Sequence, residues 1–403
     1  MKFAHLSDCH IGGWREPELK ELNMQAFKRS IDICVEKNVG FVIISGDLFN
    51  TSLPQIDTVS EAAHALNKLK ENDIDVYIIP GSHDFSPSGK TMLDVLEKAG
   101  LCHNVYKFKD GKLEFTVDKT GTKLTGMPGY RGGLEKYQYH ELKNKEELAN
   151  EKGFKIFLFH TLLSEFKPSG WEMVDSEPIA RLPMNFNYYA GGHPHFVMKT
   201  KKEGYGWMTY PGALFPNNFK ELEECKNGGF FIVDDKLNIE YIKVNVKDVE
   251  SLEIDVNNMH PINAQQKIID ELNKRDLNDK IVTLRIHGTL ASGKPSDIKF
   301  NDIIENLTQA YFVLKNTSKL TTKELEEVKV EDGNIDNIEE KLIESHLGQI
   351  KFEKLTKDEE KKLTENLMKS FDDEKHEGET NTDFENRLVE SITKVMDMKK
   401  HWK

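Results

Sequence analysis

Short apolar runs recur through the first 243 positions and alternate with stretches at helical spacing. Phe3-Ala4-His5-Leu6, Phe41-Val42-Ile43-Ile44, Val76-Tyr77-Ile78-Ile79, Ile156-Phe157-Leu158-Phe159 and Tyr188-Tyr189-Ala190 read as buried strands, each being brief and rich in β-branched or aromatic residues. A helix is expected after the first run, with Leu22, Phe27, Ile31, Cys34 and Val35 on one face. Another starts near Asp57 and buries Val59, Ala62, Ala63, Leu66 and Leu69. Residues 109–127 break into short β-like pieces and turns, so the sheet is mixed or doubled. Gly228-Gly229-Phe230-Phe231-Ile232-Val233 reads as a late strand of the same domain. Strands alternating with helices predict an α/β domain whose sheet is covered by helices.

The pattern changes after residue 243. Residues 244–318 predict a small α+β module. It has an opening strand, a helix at about 263–274, an alternating strand Ile281–Gly288, a helix Ile298–Ala310 and a last strand Tyr311–Leu314. From 319 to 403 the chain is polar, with helix-like patches at Ile335–Gly348, Lys357–Phe371 and Thr382–Met398 and a loop at Asp372–Thr382.

Chemistry sits at the carboxyl ends of the first-domain strands. Asp8 and His10 follow the first run, Asp47 the second, and His83 and Asp84 the third. His160 ends the fourth, and His193 and His195 follow the fifth. Open α/β sheets bind ligands outside the carboxyl ends of their strands, so one fold would gather these residues at one rim. Side-chain period two would put Asp8 with His10, and His193 with His195, on a common side. Two carboxylates and four imidazoles suffice for two metal ions. Mixed His/Asp ligation suits Mn, Fe or Zn better than Mg or Ca. Two ions sharing a carboxylate would stand roughly 3.5–4 Å apart, the spacing of phosphoester-cleaving sites.

Bulk composition narrows the partners. The net charge of −13 repels nucleic acid, so DNA contact requires a local basic patch or bound metal. Four cysteines without Cys-x-x-Cys spacing read as reduced thiols. No basic-then-apolar leader opens the sequence and no apolar run reaches membrane-spanning length. A soluble, cytoplasmic protein with no membrane partner is expected.

Asp8-x-His10, Gly46-Asp47, Gly81-Ser82-His83-Asp84, His160 and Gly192-His193-Pro194-His195 resemble the five motifs of calcineurin-like metallophosphoesterases. The stretches Phe3–Gly12 and Ser45–Phe49 look like the double-strand-break repair nucleases called SbcD in bacteria and Mre-eleven in archaea and eukaryotes. The resemblance implies an αββα β-sandwich flanked by helices over 1–243. It implies a capping, DNA-binding domain over 244–318. It further implies a linker and helical segment over 319–403 that docks on an SMC-like ABC ATPase (Rad-fifty or SbcC type). It also implies a homodimer, manganese as the metal, DNA ends as substrate and a prokaryotic, nucleoid-associated setting. Asp8, His10, Asp47 and His195 would hold one ion. Asp47, His160, His193 and Ser82 would hold the other. His83 would protonate the leaving oxygen, held in place by Asp84. The sequence departs from the family at Ser82, where Asn is usual, and at Asn50, where His follows Phe.

Bland readings stand beside these. His5 is expected as a packed histidine behind the site. His64, His103, His140, His260, His287, His346, His376 and His401 read as structural or solvated. Trp14, Arg15, Tyr130, Arg131, Lys167, Trp171, Lys199, Lys201 and Lys202 are candidate DNA contacts, though each singly is an ordinary surface group. Two rival functions remain: a phosphodiesterase for nucleotides or small phosphodiesters, and a DNA-end tethering scaffold with an impaired metal site.

Overall fold

The computed structural model describes residues 1–86, 90–130, 135–323, 343–344, 347, 355–371 and 381–396. The chain divides into two compact units, Met1–Val249 and Glu250–Lys403. The first begins β1 (Phe3–Leu6), α1 (Pro17–Glu36), β2 (Phe41–Ser45), α2 (Ile56–Glu71), β3 (Asp75–Ile79), α3 (Met92–Lys98) and β4 (His103–Asn104). Four short pieces follow, β5 (Phe108–Lys109), β6 (Lys112–Leu113), β7 (Thr116–Val117) and β8 (Lys123–Met127), then α4 (Glu135–Glu141) and α5 (Lys145–Asn150). The unit continues through β9 (Lys155–His160), β10 (Tyr188–Gly192), β11 (Met198–Lys201), β12 (Trp207–Tyr210), α6 (Phe219–Cys225), β13 (Gly229–Val233) and β14 (Ile239–Lys243).

These strands form two six-stranded sheets, ordered β14-β13-β1-β2-β3-β4 and β11-β12-β10-β9-β8-β7. The centre of each is parallel: β1 with β2, β2 with β3, β8 with β9, β9 with β10 and β10 with β12. Parallel strands covered on both faces carry continuous apolar runs, and β2 and β9 are buried at every position. Phe3, Phe41, Ile43 and Tyr77 from one sheet meet Leu124, Ile156, Leu158, Tyr188 and Ala190 from the other in one core. A second core, with Tyr139, Phe157, Phe159 and Tyr189, lies on the far face of β9 and β10. α1 packs against α2 and buries Leu22, Phe27, Ile31 and Cys34. Of the two forms expected from 109–127, a mixed or a doubled sheet, the doubled one is present, with helices outside.

β15 (Val249–Asp255) leads from the last residue of the first unit into the second. Then come α7 (Pro261–Asn273), β16 (Ile281–Leu290), α8 (Phe300–Glu305) and β17 (Phe312–Thr322). Its three strands lie in the order β15-β16-β17 over one apolar cluster that includes Leu252, Ile268, Val282, Leu284, Ile286 and Phe300. Two expectations are corrected. α8 ends at Glu305 rather than reaching Ala310, and the last strand runs through Thr322 rather than stopping at Leu314. β17 outlasts its apolar start because it pairs in parallel with the whole of β16, backbone bonding carrying it through Lys319–Thr322. The helices Lys357–Phe371 and Asn381–Met396 pack on each other, Ser391 Oγ donating to Ser370 Oγ at 3.2 Å. The patch expected at Ile335–Gly348 falls almost wholly outside the described residues, as do 372–380 of the expected loop. No helix among the described residues is long and apolar enough to cross a membrane.

Candidate metal centre

The loops leaving β1 and β2 stay zipped beyond the strands. Asp8 N donates to Gly46 O (3.2 Å), His10 N to Asp47 O (3.0 Å) and Ile11 N to Leu48 O (3.0 Å). Asp8, His10, Asp47 and His193 all take left-handed backbone, with φ of 50°, 43°, 52° and 93°. Strand alternation is therefore not what aligns Asp8 with His10; the turn itself aims both inward. Such backbone costs ~1–3 kcal/mol per residue and persists where surrounding structure enforces it. Two glycines permit the crowding: a Cβ on Gly46 would strike the His160 ring, and one on Gly192 the Ser45 carbonyl.

Asp47 lies at the centre. Its Oδ2 is 3.2 Å from His160 Nε2, 3.7 Å from His10 Nε2 and 3.3 Å from Ser82 Oγ, and its Oδ1 accepts from His83 N at 2.7 Å. Asp8 accepts from Ser7 Oγ (2.6 Å) and His193 N (3.0 Å), and its Oδ1 stands 3.9 Å from His195 Nε2. Three groups, Asp8/His10/His195, His10/Asp47/His83 and Asp8/Asp47/His160, each bring their donor atoms within 4.8 Å of one another. Seven of the nine nominated residues thus converge around Asp47 or Asp8. The His193 ring belongs to none of these groups. It packs edge-on against His160 at 5.3 Å between centroids, at the exposed rim.

Asp84 also lies outside these groups. Expected to hold His83, it instead accepts from the backbone N–H groups of Gly81 (3.0 Å), Leu48 (3.3 Å) and Phe49 (3.1 Å), tying the β3 loop to the β2 loop. The Asn50 carbonyl accepts from His83 Nδ1 at 2.7 Å. Residue 50, noted for lacking the usual imidazole, thereby orients His83 through its main chain.

Other orienting groups escaped the sequence reading. Ser45 O accepts from His160 Nδ1 (2.7 Å) and Glu221 Oε1 from His195 Nδ1 (2.9 Å). Glu221 is fixed in turn by Asn217 N (2.8 Å) and Asn218 Nδ2 (2.6 Å). The run Asn218-Phe219-Lys220-Glu221 has the Asn-x-x-Glu form of a helix start, and Asn218 Oδ1 does cap Glu221 N. That start was readable; its use against His195 was not. His5 is buried behind the site as expected, its Nε2 3.0 Å from Ser45 Oγ and its Nδ1 2.9 Å from Tyr188 Oη.

The donor set fits a cation. With Nδ1 of His160 and of His195 committed as donors, each neutral ring turns an Nε2 lone pair inward. His195 Nε2 then faces His10 Nε2 at 3.1 Å, and His160 Nε2 faces the Asp47 carboxylate. His10 Nδ1 and His160 Nε2 are buried without a well-formed hydrogen bond. Lone pairs at such range repel unless a proton or cation lies between them. Burial pushes His10 down to about 3. Burial opposes charge on His160 too, but Asp47 outweighs it and holds the ring up to about 10. Burial raises Asp8, whereas His160 and His10 hold Asp47 well below the usual carboxylate range against its own burial. A divalent ion would take the place of the proton on His160.

Residues 1–197 match the calcineurin-like phosphoesterase family. The chain carries a calcineurin-like phosphoesterase domain. Enzymes of this family use divalent metals, in keeping with the cluster around Asp47. The DNA double-strand break repair protein Mre11 of Methanococcus maripaludis is 27% identical over 87% of this chain and 93% of that protein. The protein of the same name from Methanocaldococcus jannaschii is 26% identical over 76% of this chain and 86% of its own length. Among solved structures, the protein TT1561 of Thermus thermophilus covers 60% of this chain and 99% of its own at 16% identity and TM-score 0.42, too loose a likeness to add to the assignment.

The candidate DNA contacts of the phosphoesterase domain take varied places. Trp14 Nε1 donates to Pro216 O (2.9 Å), and Tyr130 packs edge-on against Phe85 at 4.7 Å. Trp171 is 38% exposed beside Phe196, while Lys167 Nζ is turned to Glu172 O (3.1 Å). Arg15 is exposed. Lys199 and Lys201 lie on β11, a strand the sequence reading missed, and Lys202 follows it. Arg131 lies outside the described residues.

Proposed function

We propose that this chain is a manganese-dependent nuclease that hydrolyses phosphodiester bonds at DNA ends in double-strand-break repair, acting in the cytoplasm at the nucleoid. One observation carries the reading. Asp47 sits between two imidazoles and next to a second carboxylate at the rim of a phosphoesterase domain, in a chain that aligns along most of the length of proteins named for that repair.

Asp8, His10, Asp47 and His195 would hold one ion, and Asp47, His160, His193 and Ser82 would hold the second. When bound, such ions polarise the phosphoryl group and supply a hydroxide nucleophile near neutral pH. The protein's own part is positional. Ser45 O and Glu221 fix the His160 and His195 rings so that Nε2 points inward. Asn50 O holds His83 by Nδ1, which leaves Nε2 to deliver a proton to the departing 3′ oxygen. Ser82 offers a hydroxyl where an amide oxygen is the stronger neutral donor.

The wider complex belongs to the same proposal: a homodimer through helices of the phosphoesterase domain within 57–100, and an SMC-like ABC ATPase held by the C-terminal helices. Val95, 54% exposed on α3, supports the first. On the C-terminal helices Phe384, Leu388, Ile392 and Val395 are half-buried, and Phe371, Val389 and Met396 are the exposed large apolar groups among the described residues. Linear duplex DNA incubated with Mn²⁺, with and without the ATPase, tests the reading. Loss of duplex is expected, faster with the ATPase. Hydrolysis of a small aryl phosphodiester without any loss of DNA would favour the small-substrate phosphodiesterase. DNA binding without hydrolysis of either would favour the scaffold.

A further inference from the structure

The buried row Leu19, Asn23, Phe27 and Ile31 along α1 is interrupted by an amide. These residues fall on one helix face, where an apolar side chain would serve for packing. Asn23 is only 2% exposed, and a polar group so deeply buried is kept where it is hydrogen-bonded. Both ends of its amide are spent on the loop that leaves β1. Asn23 Nδ2 donates to Cys9 O at 2.9 Å, and Asn23 Oδ1 accepts from Gly12 N at 3.0 Å. The partners fix the orientation of the amide, because a carbonyl can only accept and a backbone N–H can only donate.

Those two atoms bracket a metal ligand. The Cys9 carbonyl belongs to the peptide that enters His10, and the Gly12 N–H to the peptide that leaves Ile11. His10 lies between them at φ 43°, with Asp8 at 50° before it and Gly12 at 87° after it. L side chains adopt such backbone only where something holds it. The neighbouring bonds run from main chain to main chain: His10 N to Asp47 O, Ile11 N to Leu48 O, Gly13 N to His10 O and Asn50 N to Ile11 O. Of these partners Asn23 alone acts through a side chain, so the turn depends on residue identity at that point. The turn in turn sets the His10 ring, whose Nε2 lies 3.1 Å from His195 Nε2 and 3.7 Å from Asp47 Oδ2. We propose that Asn23 is a positioning residue of the metal centre, clasping the Cys9–Gly12 turn so that His10 is held ready for its ion. The ion shared by Asp8, His10 and His195 is tightened by this clasp, and the one at His160 is not. The inference rests on the metal-binding part of the reading above and adds to it a residue that touches neither ion nor substrate.

The test titrates Mn²⁺ into the full chain, freed of metal beforehand, and follows the EPR signal of the unbound ion. Circular dichroism checks that each variant is folded. The wild type is expected to take up two ions. Asn23→Leu keeps the size of the side chain and removes both hydrogen bonds. It should weaken one ion by ~10–100-fold, the usual effect of losing a group that orients a ligand, and leave the other unchanged. Asn23→Ser, too short to span both partners, should do the same and keeps the test readable if Asn23→Leu fails to fold. Phe27→Leu loosens the same helix one turn further on and should leave both affinities as they are. Unchanged affinities in folded Asn23→Leu or Asn23→Ser would overturn the proposal. So would equal weakening of both ions, or the same loss in Phe27→Leu, since either marks general loosening of the fold. A wild type that takes up no Mn²⁺ would end the metal-binding reading itself, whereas two ions in the wild type with unchanged variants would end only the role of Asn23.

Discussion

The two units spend their interiors differently. In the second, the cluster around Ile268 and Leu284 is purely apolar, and the buried polar residues among those described are Thr283, Thr322 and Ser370. In the first, Asp8, His10, Asp47, Asp84 and His160 are all 2% exposed or less, packed at one end of a sandwich. Burying charge costs several kcal/mol per ion unless partners compensate. An arrangement that concentrates this cost at one rim is expected only where the charges have work to do. The second unit shows what the same chain does when a core is needed for stability alone.

Variants can break or sharpen that contrast. The largest effect belongs to Asp47→Ala, which removes the carboxylate nearest three imidazoles. Elemental analysis should find bound metal at background, and phosphodiester hydrolysis should vanish; retained metal would show that Asp47 is not the shared ligand. His83→Ala comes next. It should keep metal while losing about 10²–10⁴ in rate, the usual worth of general acid–base help. Glu221→Gln exchanges the carboxylate on His195 for an amide and should weaken metal affinity or rate by ~10–100-fold. Titration with Mn²⁺ against rate would reveal it. Ser82→Asn restores the stronger donor and should raise metal affinity by at most about tenfold, or ~1.4 kcal/mol; no change would remove the case for an impaired site. Ile268→Ala in the second unit should lower stability by ~2–5 kcal/mol in a denaturant melt and leave metal content untouched.

Much of the first unit was legible because parallel strands buried on both faces must be continuously apolar, as β2 and β9 are. The convergence of Asp8, Asp47 and His160 followed from their places at strand ends. β11 was missed because Met198–Lys201 alternates between half-buried and exposed positions and carries no strong apolar run. α8 fell short of its expected length because 306–310 turn into β17 instead of adding helix.

The amino-acid order alone determined which residues could bind a cation, since only Asp and His at these strand ends carry suitable donors, and it determined the helix-and-strand rhythm that brings the ends to one rim. The tertiary structure decided what holds those donors still. Ser45 O, Asn50 O and Glu221 act through main-chain atoms or across distant stretches of chain, and Asp84 grips loops rather than His83. Backbone carbonyls have no side-chain identity, and the left-handed turns at Asp8, His10 and Asp47 depend on neighbours far away in sequence. No periodicity in the chain encodes either.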